Sequence, residues 1–193
     1  MSATSPDGRD LPLMRWGDEL RQRKTVRRQR IVRCAATGIL CAIVTASAMI
    51  PPSPKLVWNA SRSAPLGLYR VIPFHPLRRG DMVVARLAPA AARIAASRGY
   101  LPIGVPVVKR VAGMPGDRIC ADGVLVSING RPVAARLAAD SRGRRLPVWH
   151  GCITLDGRHY LLLNESLRSF DGRYFGPTDA SAIVGLASPI WLR

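Results

Sequence analysis

The sequence predicts a mainly β domain preceded by one membrane-crossing helix, and two observations carry that prediction. Residues 31–50, Ile-Val-Arg-Cys-Ala-Ala-Thr-Gly-Ile-Leu-Cys-Ala-Ile-Val-Thr-Ala-Ser-Ala-Met-Ile, are almost wholly apolar and close on Pro51-Pro52. A bilayer core of about 30 Å needs roughly 20 such residues in a helix. From Pro54 onward the texture changes to short apolar runs separated by Gly, Pro and Asp. Runs of that length between turn residues are strands and hairpins.

Taken in order, residues 1–30 form a polar, basic tail in which Pro6, Gly8, Pro12 and Gly17 interrupt any regular pattern. Its charge gathers late, in Arg21-Gln-Arg-Lys-Thr-Val-Arg-Arg-Gln-Arg30. A basic block before a span and none directly after it places the N-terminus in the cytoplasm and the rest outside. Arg33 lies close enough to the start of the span to snorkel. A buried core helix and a cleaved signal peptide ending at Ala46-Ser-Ala48 are the competing readings of this segment. A linker, 51–55, leads to the external domain, 56–193. Strands are expected at Met82–Ala85, Val105–Val108, Val124–Ile128, Tyr160–Leu163 and Ala182–Leu186. Turns are expected at Asp122-Gly123, Asn129-Gly130 and Asp156-Gly157, and the Ala-rich stretch Pro89–Ser97 reads as a short helix.

Composition narrows the function. Hydrophobic residues make up 48% of the 193 and aromatics 6%, so the core is aliphatic. The net charge of +17 would suit a polyanion partner. Its arginines, however, are spread along the chain without interleaved aromatics or a recognition-helix signature, and an external location excludes nucleic acid. Metal chemistry is not expected: no Cys-x-x-Cys or His-x-x-His spacing occurs. No cofactor motif appears either. His75, His150 and His159 lack a triad context, and no Gly-x-Ser-x-Gly elbow is present, so each histidine reads as a surface or structural residue. Cys34 and Cys41 fall in the span and are expected as small packing residues. Cys120 and Cys152 fall in the external domain, where an oxidising compartment permits a disulfide.

Of 29 basic residues only Lys24, Lys55 and Lys109 are lysines. An apolar setting can discharge a lysine but not an arginine. Lys109 stands in Val105-Pro-Val-Val-Lys-Arg-Val-Ala-Gly, and alternation puts it on one face with Val107 and Val111, with Val108 and Arg110 on the other. A free lysine has a pKa near 10.4, so work as a base near neutrality requires a depression of roughly 2–3 pH units, which apolar burial supplies. A solvated lysine on an edge strand is the alternative. Ser63, in Asn59-Ala-Ser-Arg-Ser-Ala-Pro-Leu-Gly-Leu-Tyr69, sits where Pro and Gly predict a tight chain reversal.

Four segments occur in order: Ser63-Ala-Pro-Leu-Gly-Leu-Tyr, Arg79-Gly-Asp-Met-Val, Val108-Lys-Arg-Val-Ala-Gly-Met-Pro-Gly-Asp117 and Ser169-Phe-Asp-Gly-Arg-Tyr-Phe-Gly-Pro177. Together they resemble the type I signal peptidases, and in detail the TraF-type conjugal transfer peptidases. The likeness extends over about residues 56–193, through Tyr100-Leu-Pro-Ile-Gly-Val-Pro, Val126-Ser-Ile-Asn-Gly-Arg-Pro-Val, Trp149-His-Gly-Cys152 and Pro189-Ile-Trp.

The resemblance implies a signal-peptidase-like catalytic β domain on one N-terminal transmembrane helix. It implies Ser63 as acylating serine, Lys109 as general base and Asp171 as an organiser of the site. Ser61 would support the oxyanion site, Ser169 would hydrogen-bond near the lysine, and Arg173 would accompany Asp171. Cys120 and Cys152 match family positions, which points to their pairing. The implied enzyme is an inner-membrane serine endopeptidase with a periplasmic domain. Its substrate would be an exported precursor, a conjugative pilin, released by hydrolysis or by cyclisation. A non-catalytic, membrane-tethered assembly factor for a pilus or secretion system is the rival. Two residues depart from the family pattern: Ala64 replaces the usual Met, which would alter the adjoining pocket, and Gly172 stands where Ser is common. The Gly-Asp-Asn that precedes the last motif in leader peptidases is also absent.

Overall fold

The computed structural model describes residues 12–49, 54–73 and 76–193. It divides into two units, residues 1–52 and 53–193. The first is one helix, α1, Pro12–Met49. Within its stretch Arg21–Ser47, an 18-residue window with a mean hydropathy of 1.5 is long and apolar enough to cross a bilayer. In that stretch the hydroxyls of Thr37 and Thr45 donate to the Arg33 and Cys41 carbonyls at 2.9 and 2.6 Å, bonds made within the helix itself. The helix starts far earlier than residue 31. Pro12 fits its first position, where the missing N–H has no intrahelical partner. Gly17 costs only about 1 kcal/mol against a run rich in Arg, Gln and Leu. Cys34 and Cys41, expected as packing residues, are exposed on this lone helix.

The second unit is built on two sheets. The larger runs in the order β1-β2-β11-β3-β4-β9-β10, and the smaller β7-β6-β5-β8. The strands of the large sheet are β1 (Leu56–Asn59), β2 (Gly67–Ile72), β3 (Met82–Ala85), β4 (Val107–Gly113), β9 (His159–Leu163), β10 (Thr178–Asp179) and β11 (Ile183–Leu192). Those of the small one are β5 (Arg118–Asp122), β6 (Leu125–Ile128), β7 (Arg131–Ala135) and β8 (Gly151–Thr154). Two helices, α2 (Pro89–Ser97) and α3 (Gly172–Phe175), complete the domain. Every pairing among these strands is antiparallel.

The core follows from strand alternation. Val83, Val111, Leu162 and Ile183 bury one face of the large sheet, and Val57, Tyr69, Val84, Val108 and Ala187 bury the other. A third cluster, with Ile119, Val126, Leu155 and Leu161, joins residues of the small sheet to β9. At Asn129 and Gly130, φ values of 52° and 79° make the two-residue hairpin expected between β6 and β7.

Two expectations change. β4 begins at Val107 and not at Val105, because Pro106 has no N–H for the ladder. Asp156-Gly157 is not a hairpin turn: it carries the chain from β8 in the small sheet to β9 in the large one.

Candidate active site

Lys109 stands in the middle of β4, opposite Val83 of β3, with β9 on the far side. Lys109 is only 4% exposed. Its one hydrogen-bond partner among the described residues is Ser169 Oγ, at 2.8 Å. Burial lowers its pKa to about 8; the nearby Asp171 carboxylate pulls upward and the Arg173 guanidinium downward. The solvated-lysine alternative is thereby overturned. Its neighbour Arg110 points the other way, as alternation predicted, and remains open to solvent.

Ser63 lies on the turn between β1 and β2, half-buried. Asn59, buried at the end of β1, shapes that turn: its Nδ2 donates to the carbonyls of Ser61, Ala64 and Pro65, and its Oδ1 accepts from Ser61 N–H. Ser61 Oγ lies 2.9 Å from Ser63 Oγ and accepts from Ser63 N–H at 3.3 Å. Ala64 packs into the core beside Val57, Tyr69 and Val84, so the departure at this position sits beneath the turn and does not line the cleft.

Ser61, Ser63 and Lys109 line one cleft of about 480 Å³, with Tyr100, Leu101 and Phe170 among its other walls. Behind it stands a buried ion pair. Asp171 is fully buried and Arg173 is 1% exposed. Arg173 Nε donates to Asp171 Oδ1 at 2.8 Å and Nη2 to Oδ2 at 3.2 Å. The remaining guanidinium contacts go to the Ala135 and Asn164 carbonyls. Asp171 also caps α3 through Arg173 N–H. Neither residue hydrogen-bonds Ser63 or Lys109; they hold the segment that carries Ser169.

The sequence analysis missed Asn164. Its Nδ2 donates to Val108 O at 3.1 Å and reaches Ser63 Oγ at 3.4 Å; its Oδ1 accepts from Arg110 N–H, and its own N–H donates to Asp171. One side chain thus ties the serine turn, β4 and the ion pair together. A lone amide directly after the apolar run Tyr160–Leu163 was the available signal.

Gly172 has a steric reason. A Cβ there would sit 2.8 Å from Leu161 Cδ1 and 2.9 Å from the Leu162 carbonyl oxygen, so α3 can lie against β9 only without a side chain. Two motifs prove to be structural: Asp117 accepts from Arg79 Nη2 at 2.6 Å, Met114 N–H at 2.6 Å and Asn129 Nδ2 at 2.8 Å. Cys120 and Cys152, directly opposed on β5 and β8, form the disulfide. His150 is exposed and His159 pairs with Asp156 at 2.7 Å, away from the cleft; His75 lies outside the described residues. No cluster of metal-ligating side chains occurs among the described residues.

A buried lysine, a serine on a tight turn and a cleft open to both define a peptidase-like site, and comparison with known proteins agrees. The family model for signal peptidase, peptidase S26, matches residues 28–192. The conjugal transfer protein TraF of Agrobacterium fabrum is 38% identical over 145 residues, covering 69% of this chain and 80% of that protein. The probable conjugal transfer protein TraF of Sinorhizobium fredii is 34% identical over 167 residues, covering 80% and 86%. A plasmid transfer protein TraF from Escherichia coli is 32% identical over 175 residues, covering 84% and 96%. Among solved structures, a signal peptidase I from Enterococcus faecalis aligns with a TM-score of 0.35 at 21% identity, covering 60% of this chain and 98% of that one. The chain belongs to the signal peptidase family, peptidase S26, and is of its TraF type.

Proposed function

We propose that this chain is a membrane-anchored serine endopeptidase in which Ser63 is the nucleophile and Lys109 the general base. The observation that carries the reading is the state of Lys109: buried in a strand, paired with one neutral hydroxyl, and with a pKa of about 8. A usable fraction is then neutral near physiological pH, and a base poised there is effective.

The Ser63 hydroxyl, engaged with Ser61 at 2.9 Å, turns about χ1 towards Lys109. Lys109 Nζ takes its proton as Ser63 Oγ attacks a peptide carbonyl. The Ser63 N–H, which donates to Ser61 Oγ at 3.3 Å in the resting site, and the Ser61 hydroxyl turn to the oxyanion as it forms, a pairing worth several kcal/mol in acyl transfer. Collapse expels the amine, which leaves with the proton from Lys109, and an acyl-enzyme remains. Water then releases the acid, or the substrate's own amino terminus takes the acyl group and closes a ring.

The names of the relatives support conjugation as the setting, and within that setting an exported pilin precursor is the substrate this reading assigns. The basic block before the span supports an N-terminus inside and a periplasmic catalytic domain, with residues 31–50 in contact with membrane lipid. Precursor processing in membranes from variants tests the mechanism. Ser63→Ala and Lys109→Arg are both expected to be inactive, because arginine offers essentially no neutral form. Substantial processing by a well-folded Lys109→Arg protein overturns the dyad.

A further inference from the structure

Between β7 and β8 the chain makes an excursion that the proposed chemistry does not use. Residues 137–146 fold back on themselves: Ala139 and Arg145 form an antiparallel bridge, and Leu146 N–H donates to Ala138 O at 3.0 Å. Asp140 N–H donates to Arg144 O at 3.0 Å, and Gly143 turns the tip at a φ of 73°. By sequence this hairpin belongs to the small sheet. It is fastened, however, to the segment following α2.

Asp140 is the point of attachment, with a side chain only 7% exposed. Its Oδ2 accepts from the Tyr100 hydroxyl and from Arg144 Nε, the latter at 2.7 Å. Its Oδ1 accepts from the N–H groups of Arg142 and Arg144, both at 2.9 Å, and Arg98 Nη1 stands 4.0 Å from Oδ2. The link is doubled from the other direction. Arg98 Nη2 donates to Arg145 O at 2.7 Å, Arg144 Nη2 donates to Arg98 O at 3.2 Å, and the Arg144 guanidinium lies 5.5 Å from the Tyr100 ring centre. The hydrogen bond from Tyr100, then those from Arg144 and Arg142, hold the Asp140 carboxyl well below the usual carboxylate range, so it is ionised wherever the protein works.

This clasp lies on the cleft. Leu137, Ala139, Asp140, Ser141 and Leu146 from the hairpin, and Tyr100 from the segment it grips, line the same cavity as Ser63 and Lys109. Asp140 makes no contact with either of the latter, so its effect on a bound peptide is exerted through the shape of that cavity. A hairpin whose tip is exposed, with few apolar anchors of its own, depends on such a link for its position.

We propose that the Asp140–Tyr100–Arg144 clasp fixes hairpin 137–146 as a wall of the peptide cleft, making Asp140 and Tyr100 positioning residues that set substrate affinity and the side-chain size accepted. The proposal rests on the peptidase reading above. Its signature is a split between binding and chemistry: KM rises while kcat holds, since the clasp is made alike in ground and transition states.

The test uses full-length protein in liposomes and internally quenched peptides with the sequence of an exported pilin precursor across its processing site, with Ala or Leu next to the cleaved bond. Asp140→Ala is expected to raise KM about tenfold with kcat nearly unchanged, and Tyr100→Phe about threefold, since it removes one donor of several. The ratio of KM values between the Ala and Leu peptides should change in both. Binding of the Ala peptide to Ser63→Ala protein, followed by fluorescence anisotropy, should weaken in parallel when Asp140→Ala is added. Tyr100→Phe keeps the ring and its packing, so it remains informative if Asp140→Ala fails to fold. Unchanged KM and Kd in a folded Tyr100→Phe or Asp140→Ala protein, or a fall in kcat alone, overturns the clasp. Absence of cleavage by the unaltered protein, with peptide binding that still depends on Asp140, instead overturns the peptidase reading and leaves the clasp standing.

Discussion

Lys109 and Arg173 are two buried cations in one small region, and they are held in opposite ways. The Arg173 guanidinium makes four hydrogen bonds, to both Asp171 oxygens and two backbone carbonyls. Lys109 receives one neutral hydroxyl, and its burial outweighs the pull of the nearby Asp171 carboxylate. A guanidinium cannot escape burial by losing its proton, so it must be compensated in full. An ammonium can escape, and the sparse environment of Lys109 pushes it that way. The difference separates two tasks that sequence composition alone would merge under "basic residue". Arg173 keeps the loop from Asn164 to α3 in place, whereas Lys109 is held close to neutrality, the state that the proposed dyad needs for proton transfer.

The comparison breaks most readily at Arg173. Arg173→Ala strands the Asp171 carboxylate, and loss of one partner from a buried pair costs about 3–5 kcal/mol. Urea unfolding in detergent should show the midpoint falling accordingly, with activity lost because Ser169 and Asn164 are no longer held. A loss below 1 kcal/mol would mean that the pair is solvated and the contrast false. Lys109→Met should move stability the other way. With a folded pKa of about 8 against an ordinary value near 10.5, burial of the charge costs about 3 kcal/mol. The sign follows from linkage. Between pH 8 and 10.5 the unfolded chain holds the proton more tightly, so stability rises with pH across that window. Relative to Lys109→Met, the unaltered protein should be weakest below pH 8 and should recover the difference by about pH 10.5. A constant difference across that range would show that Lys109 is not perturbed.

Much of this contrast was legible beforehand. Alternation around Lys109 put it with Val107 and Val111, and the β3–β4–β9 packing buried that face. Helix α2 was bounded at Pro89 and Ser97 because an Ala-rich segment with Pro at its first turn leaves little choice. What escaped has a common physical form. Asn59 and Asn164 work by bonding backbone groups of their surroundings, which leaves no periodic trace in the sequence. Asp140 and Tyr100 meet across 40 residues, one in the hairpin after β7 and the other in the segment after α2. The extension of α1 back to Pro12 was missed because breakers were counted one by one, while the helix sums propensity over its whole length.

Smaller changes sharpen the comparison. Gly172→Ser, which restores the residue common in the family, should cost about 1–3 kcal/mol here, since its Cβ would enter the space of Leu161 and Leu162. A thermal shift assay on the purified protein measures this, and a neutral result would mean that α3 moves off β9 without penalty.

The finest test addresses the single hydroxyl that Lys109 does have. Ser169 Oγ accepts from Lys109 Nζ at 2.8 Å and so favours the protonated form. Ser169→Ala removes that acceptor and leaves the apolar walls intact. A hydrogen bond to a charged group contributes about 1.5 kcal/mol, close to the energy of one pH unit. The acid limb of the pH–activity profile, expected near pH 8 in the unaltered protein, should therefore move about one pH unit lower in Ser169→Ala. The plateau should fall at the same time, because the lysine loses the contact that aims it. The profile is read from precursor cleavage between pH 5 and 10 in the same membranes. An acid limb that stays in place would mean that Ser169 does not engage the ammonium, and one that moves upward would mean that water replaces it as a better acceptor. Either result would mean that Ser169 does not stabilise the charged form of Lys109, and that only the Asp171 carboxylate opposes the effect of burial.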